Sequence, residues 1–131
     1  PIYASGDFVL LDADRRELSR ESRAAFCRCG ASLSKPFCDG RHVEAGFEDS
    51  GKLGVPKLRA TGEADPTELT VRLRADGPLV LEGRFRIEGA DGAAAKGAAG
   101  ALCRCGASKN KPFCDGTHRN VGFAAEDPTA G

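Results

Sequence analysis

The chain has 131 residues, of which 40% are hydrophobic, and it contains neither tryptophan nor methionine. This length and composition suit one compact unit with a modest apolar core. Nineteen basic residues balance nineteen acidic ones, so no overall electrostatic field draws the protein to nucleic acid or to an anionic membrane surface.

The sequence shows no sign of a membrane span or a secretion signal. No apolar run approaches the roughly 20 residues needed to cross a bilayer. The opening residues PIYASGDF lack the charged and apolar regions of a signal peptide. We therefore expect a cytoplasmic protein, and the start at Pro1 leaves open whether a targeting segment has been removed.

Short β-rich stretches bounded by Gly, Pro and Asp predict strands. In chain order they are Phe8 to Asp12, Leu69 to Arg74, Leu79 to Glu82 and Phe85 to Glu88. Glu63 to Thr67 is a predicted turn, because Pro66 stops any helix. Ala90 to Ala101 is rich in Gly and Ala with little apolar periodicity, which predicts a mobile connector.

The chain repeats itself. CRCGASLSKPFCDGRHVEAGF from Cys27 aligns with CRCGASKNKPFCDGTHRNVGF from Cys103 at an offset of 76, and PIYASGDF aligns with PLVLEGRF at 77. We divide the chain into a first repeat (1–50), a connecting segment with a strand (51–77), a second repeat (78–126) and a flexible tail (127–131). Two such repeats can pack about a pseudo-twofold axis, so we expect a monomer that is an internal pseudo-dimer.

Each repeat carries the pattern C-x-C, then eight residues, then C-x-x-x-H. The chain has six cysteines and two histidines, and all eight belong to this pattern, which predicts metal binding. The candidate ligands are Cys27, Cys29, Cys38 and His42 in the first repeat and Cys103, Cys105, Cys114 and His118 in the second.

Each third cysteine has the same neighbours, namely a proline two residues before it and an Asp-Gly pair after it. The proline fixes the chain ahead of the cysteine, the aspartate can cap the following turn, and the glycine lets the backbone turn closely. These residues are Pro36, Asp39 and Gly40 in the first repeat and Pro112, Asp115 and Gly116 in the second.

The residues alone leave the chemistry of the sites open between two metals. Disulfides are disfavoured because they would leave the matched histidines unexplained. Three cysteines and one histidine form an established tetrahedral zinc set. A [2Fe–2S] cluster needs two ligands on each iron, which C-x-C and the later Cys and His could supply. The spacing favours iron–sulfur only modestly over zinc.

Other residues near the cysteines have simpler interpretations. Arg28 and Arg104, between the paired cysteines, are interpreted as solvated side chains, with charge compensation at the site or a partner contact as the alternative. Four phenylalanines are interpreted as apolar cover around the sites. Four Ser and Lys residues are interpreted as turn or surface residues, with hydrogen-bond donation to the sites as the alternative. They are Phe37, Phe47, Phe113 and Phe123, and Ser32, Lys35, Ser108 and Lys111.

The run C-R-C-G-A-S-x-x-K-P-F-C-D-G-x-H, present from Cys27 and again from Cys103, resembles the CDGSH iron–sulfur domain family, also called NEET proteins. The serine of the named pentapeptide is replaced by Arg41 and by Thr117. The resemblance implies one [2Fe–2S] cluster per repeat, with the two C-x-C cysteines on one iron and the later Cys and His on the other. It also implies a mainly β fold with short helices and loops, in which a β-rich cap carries two cluster-binding segments.

The resemblance and the ligand chemistry together predict a redox protein. Three thiolates and a neutral imidazole leave an oxidised cluster at about −1, which predicts a reduction potential between those of plant-type and Rieske clusters. Protonation of the histidine would loosen the cluster. We expect electron transfer, pH-sensitive cluster transfer or redox sensing, with redox or cluster-acceptor proteins as partners, and no enzymatic activity. The alternative is a structural zinc module that mediates protein interaction.

Overall fold

The computed structural model describes residues 2–27, 30, 35–40, 43, 46, 50–56, 58–59, 68–116, 119, 122–123 and 127. Within them, five strands form one sheet in the order β2-β1-β3-β4-β5. The strands are β1 (Ile2–Leu11), β2 (Glu17–Phe26), β3 (Leu69–Leu73), β4 (Leu79–Glu88) and β5 (Ala94–Leu102). No helix in the described part of the chain is long and apolar enough to cross a membrane.

Two equivalent hairpins flank the central strand. β1 and β2 pair antiparallel, as do β4 and β5. β1 runs parallel to β3 and β4 runs antiparallel to it, so β1 and β4 point in opposite directions. A twofold axis through β3, perpendicular to the sheet, therefore exchanges the two hairpins. This topology confirms the mainly β fold and the tandem-repeat pseudo-dimer.

The hairpins also agree in detail. The ladder between β1 and β2 shifts register after Ser5, and that between β4 and β5 shifts after Glu82. In both places the next residue is a glycine with positive φ, at 93° for Gly6 and 103° for Gly83. A bulge at a left-handed glycine is a common way to bend a paired strand. The bulges lie at matching positions of the repeat, as expected if both halves fold alike.

The apolar core lies on one face of the sheet. Leu10, Val71 and Leu81 are successive neighbours across β1, β3 and β4, and Leu73, Leu79 and Leu102 form the next row. Burying each such side chain contributes about 1.5–3 kcal/mol. The buried cluster consists of Phe8, Leu10, Phe26, Val71, Leu73, Leu79, Leu81, Leu102 and Phe113.

The prediction of a mobile connector over Ala90 to Ala101 was wrong, because most of that segment is β5. Its small residues allow another part of the chain to lie directly upon it. A Cβ on Gly97 would stand 2.8 Å from Leu58 Cβ, and the Arg59 N–H donates to the Ala99 carbonyl at 2.9 Å. The segment around Arg59 thus covers the outer edge of β5.

The other strand predictions need smaller changes. β1 begins earlier than predicted, at Ile2, and the two strands predicted on either side of Gly83 are one bent strand, β4. β2 was not predicted at all. The resemblance also implied short helices, and residues 41–42 and 117–118, which follow the Cys-Asp-Gly runs, lie outside the described residues.

Candidate metal centres

In the first repeat, a short antiparallel bridge joins the end of β2 to the segment that carries the third cysteine. The Cys27 N–H donates to the Pro36 carbonyl at 2.8 Å, and the Cys38 N–H donates to the Ala25 carbonyl at 2.8 Å. Phe37 lies over Phe26, with ring centroids 5.8 Å apart. The bridge brings two predicted ligands, the first and third cysteines, to the end of the sheet.

The second repeat has the same bridge. The Cys103 N–H donates to the Pro112 carbonyl at 2.7 Å, and the Cys114 N–H donates to the Ala101 carbonyl at 2.9 Å. Phe113 is fully buried in the core cluster, which confirms its interpretation as apolar cover. The two sites are therefore built from one local design.

In the second repeat, all three predicted cysteine ligands lie together. Cys103, Cys105 and Cys114 line one depression beside Gly77 and Arg104, and none of the three forms a disulfide within the described part of the chain. The Cys103 and Cys105 sulfurs are 3.7 Å apart. Tetrahedral coordination with metal–sulfur bonds of about 2.3 Å has an edge of about 3.8 Å. This pair therefore fits two corners of one tetrahedral metal.

The remaining predicted ligands, Cys29, His42 and His118, lie outside the described residues. Among the residues that are described, no group of three or more His, Cys, Asp or Glu side chains is placed to hold a single metal ion.

Backbone N–H groups approach the sulfurs, a feature that the sequence analysis did not identify. Gly40 donates to Cys38 Sγ, Gly116 to Cys114 Sγ and Ala107 to Cys105 Sγ, each at 3.4 Å. Such bonds stabilise thiolates. The glycine donors have φ values of 87° and 86°, which confirms the predicted close turn after each third cysteine.

Burial raises the pKa of the Cys105 thiol, and the nearby Cys103 and Cys114 raise it further, while the Ala107 N–H acts in the opposite direction. The charged form of Cys105 is therefore disfavoured in the absence of a cation. A metal would compensate the three negative charges together, which is the arrangement expected of a thiolate site.

Polar residues between the second and third cysteines hold the second-site loop together. The buried Ser108 hydroxyl donates to the Phe113 carbonyl at 2.6 Å and accepts from the Asn110 N–H at 3.1 Å. Lys111 Nζ donates to the Ser108 carbonyl at 2.9 Å. Asp115 accepts from the Lys109 N–H at 2.9 Å. These bonds fix the course of the loop around the cysteines.

The connecting segment also braces this loop. The Gly54 N–H donates to the Lys111 carbonyl at 2.9 Å. Val55 and Asn110 exchange two hydrogen bonds, in which the Asn110 side chain accepts at 2.6 Å and donates at 2.8 Å. Residues that follow the first motif in sequence thus support the second site in space.

The interpretation of Arg104 as a solvated side chain was wrong, since the residue is 1% exposed. Its Nε donates to the Gly77 carbonyl at 2.6 Å, and one terminal nitrogen donates to the Arg74 carbonyl at 2.9 Å. Both terminal nitrogens donate to the Asp127 carboxylate at 2.7 Å. The equivalent Arg28 lies outside the described residues.

The loops of the two sites touch each other. A Cβ on Gly30, next to a predicted first-site ligand, would stand 2.6 Å from the Cys105 carbonyl oxygen. The Lys35 ammonium lies 5.8 Å and the Arg104 guanidinium 5.3 Å from the centroid of the Phe123 ring. Both distances are within cation–π range. The two candidate centres are parts of one structural unit.

A β-sheet that presents cysteines at the end of each of two matching hairpins defines a metal-binding protein of the tandem-repeat type. Comparison with protein families identifies it further. The family model described as "Iron-binding zinc finger CDGSH type" matches residues 1–43 and 76–119, which is more than half of the chain. The chain belongs to this family and is an iron–sulfur protein. No curated protein matches it.

Proposed function

We propose that the protein binds two [2Fe–2S] clusters, one in each repeat, and that it carries electrons or transfers clusters. In each repeat, two C-x-C cysteines would bind one iron, and the third cysteine and the histidine would bind the other. The first set is Cys27, Cys29, Cys38 and His42, and the second is Cys103, Cys105, Cys114 and His118.

The observation that carries this proposal is the 3.7 Å separation of the Cys103 and Cys105 sulfurs, together with the matching bridges of the two repeats. The chemistry of the donors agrees with it, because iron–sulfur clusters are held by thiolates and are tuned by hydrogen bonds to sulfur. The three N–H groups near sulfur could tune a cluster in this way.

A mononuclear Cys3His zinc site is the second candidate, favoured only by the donor set. It would need its cysteines gathered around a single point. A cluster divides its four ligands between two irons, and the close cysteine pair with a third cysteine beside it suits that arrangement too. The match to an iron-binding family favours iron over zinc.

The histidine ligand would give the protein its redox and proton chemistry. Its neutral imidazole leaves the oxidised cluster less negative than four thiolates would, which places the reduction potential between those of plant-type and Rieske clusters. Protonation of the imidazole competes with its bond to iron. Acid therefore promotes release of the cluster. We propose that the protein does not act as an enzyme on an organic substrate.

The first experiment is the visible spectrum of freshly purified protein, with iron, zinc and acid-labile sulfide measured on the same sample. We expect a coloured protein with equal iron and sulfide. Cys38→Ser and Cys114→Ser should each remove half of the iron, and the double variant should remove all of it. A colourless sample that contains zinc without iron or sulfide would overturn the proposal.

A second experiment separates the cluster donor from the electron carrier. The holo-protein is mixed with an apo-ferredoxin at neutral and at mildly acidic pH, and iron and sulfide are followed after the two proteins are separated. Transfer that accelerates in acid supports a cluster donor. A cluster that stays with this protein while it exchanges electrons reversibly with a reduced ferredoxin supports an electron carrier.

A further inference from the structure

We propose that Asp127 is a positioning residue for the second cluster site, where it anchors the carboxyl-terminal segment and cancels the charge of Arg104. This inference rests on the proposed function and adds a difference between the two clusters. The second cluster would have its reduction potential set by the Arg104–Asp127 pair, and the first would not.

The pair is built as a buried, bidentate salt bridge. The Arg104 side chain is 1% exposed and the Asp127 side chain 11%, and both oxygens of the carboxylate accept at 2.7 Å. Planar fork-to-fork pairing of this kind is the strongest geometry available to these two groups. Removal of one partner of a buried pair leaves an uncompensated charge, which is strongly unfavourable.

The position of the pair ties it to the metal site. Arg104 lies between two predicted ligands, Cys103 and Cys105, and all three line the same depression. The carbonyls of Arg74 and Gly77 hold the guanidinium from the turn before β4. The charge of Arg104 therefore has a fixed place beside the cysteines, and the Asp127 charge that opposes it is fixed as well.

The pair also fixes the segment that follows the second motif. Phe123 lies against the Arg104 guanidinium, and Asp127 binds it four residues later. Two residues of this segment thus contact one buried arginine. We infer that the salt bridge holds Phe123 and Asp127 against the second site.

After the first motif, the position that matches Asp127 has no carboxylate. Gly51 stands 76 residues before Asp127, and the Gly51 carbonyl accepts from the Ala90 N–H at 2.7 Å. The chain after the first motif therefore runs to the β4–β5 turn, in the other half of the molecule. The anchor supplied by Asp127 belongs to the second site.

The experiment measures the midpoint potential of each cluster separately. Cys38→Ser leaves only the second cluster, and Cys114→Ser leaves only the first. Asp127→Asn, which keeps the shape but removes the charge, is added to each background. An unopposed guanidinium favours the more negative reduced cluster, so the second midpoint should move to higher potential and the first should stay unchanged.

Two matched variants and a second readout make the test specific. Asp127→Glu should restore the wild-type potential, and Asp91→Asn, which removes one charge at the far end of β5, should leave both potentials unchanged. Trypsin cleavage after Arg119 reports release of the segment in the protein as purified. Asp127→Asn should accelerate this cleavage at least tenfold, because it breaks a buried pair.

The outcomes are distinguishable. If both single-cluster forms contain iron but Asp127→Asn leaves the second midpoint unchanged, or shifts both midpoints equally, the inference is overturned and the proposed function stands. If the purified protein contains no iron, the proposed function is overturned. The predicted difference in reduction potential between the two clusters is then overturned as well. In that case unchanged cleavage after Arg119 would also overturn the anchoring role.

Discussion

The contact between the two site loops can be tested by the substitution Gly30→Ala. Gly30 has a φ of 82°, and a Cβ there would meet the Cys105 carbonyl oxygen at 2.6 Å and its carbonyl carbon at 3.0 Å. Ordinary van der Waals contact of a Cβ begins at 3.4 Å. The methyl group would therefore push one site loop away from the other.

The expected cost has two parts. A residue with a Cβ in the left-handed region costs about 1–2 kcal/mol. Overpacking against a neighbour that must move adds about 1–3 kcal/mol, and here the neighbour is backbone, which cannot rotate away as a side chain can. Gly30→Ala should therefore lower the free energy of unfolding by about 2–5 kcal/mol in total.

Gly92→Ala is the matched control. Gly92 lies in the β4–β5 turn with a φ of 86°, and its added Cβ would meet nothing within 4 Å. It should cost only the conformational part, about 1–2 kcal/mol. Urea unfolding of the two holo-variants gives the difference, and iron content reports on the sites. Since the contact joins both loops, Gly30→Ala should also reduce metal retention at the second site.

Equal destabilisation by the two variants would refute this reasoning, because it would mean that the loops do not press on each other at Gly30. Loss of stability without any loss of metal at the second site would refute the narrower claim that the contact supports both centres.

Three further predictions concern single side chains. His42→Cys and His118→Cys should each retain a cluster of lower potential and slower acid decay; unchanged midpoints and decay rates, measured by potentiometry and absorbance, would contradict the role of histidine. Ser108→Ala should lower the free energy of unfolding in urea by about 1–3 kcal/mol, because the Phe113 carbonyl loses a buried donor; a loss below about 0.5 kcal/mol would count against it. Because burial raises the pKa of the Cys105 thiol, the folded metal-free chain favours the protonated form. The stability that the protonated Cys105 thiol contributes to the folded chain is present below the ordinary thiol pKa. It is lost as the pH rises through the higher pKa of the folded state. Iodoacetamide alkylation of Cys105 should therefore show a midpoint above the ordinary thiol value, and a midpoint at or below it would be inconsistent with burial.

The parts of the fold that could be predicted from the sequence have strong local patterns. LTVRL in β3 and the apolar residues of β4 indicate strands without any tertiary information. The repeat predicted the pseudo-dimer because equal segments fold alike. β2, in ELSRESRAAF, was missed because four of its ten residues are charged and its apolar residues are sparse. Its strand structure depends on pairing with β1.

The strand structure of β5 and the burial of Arg104 could not be predicted, because both depend on parts of the chain that are distant in sequence. AAKGAAGAL in β5 has almost no side-chain pattern, and it forms a strand because β4 and the segment around Arg59 provide its hydrogen bonds. Arg104 is buried because its partners are carbonyls 27 and 30 residues before it and a carboxylate 23 residues after it. Its neighbours in sequence contain no information about these contacts. The pattern of Cys and His residues, by contrast, consists of residues close together in sequence, so it could be identified from the sequence alone.

The position of β3 has a consequence for how this protein responds to dilution. Subunits of a homodimer separate when their concentration falls below the dissociation constant. Here the connecting segment itself supplies the central strand, hydrogen-bonded to β1 on one side and to β4 on the other. The two halves are therefore held together at any concentration, and both centres should persist in highly dilute solution.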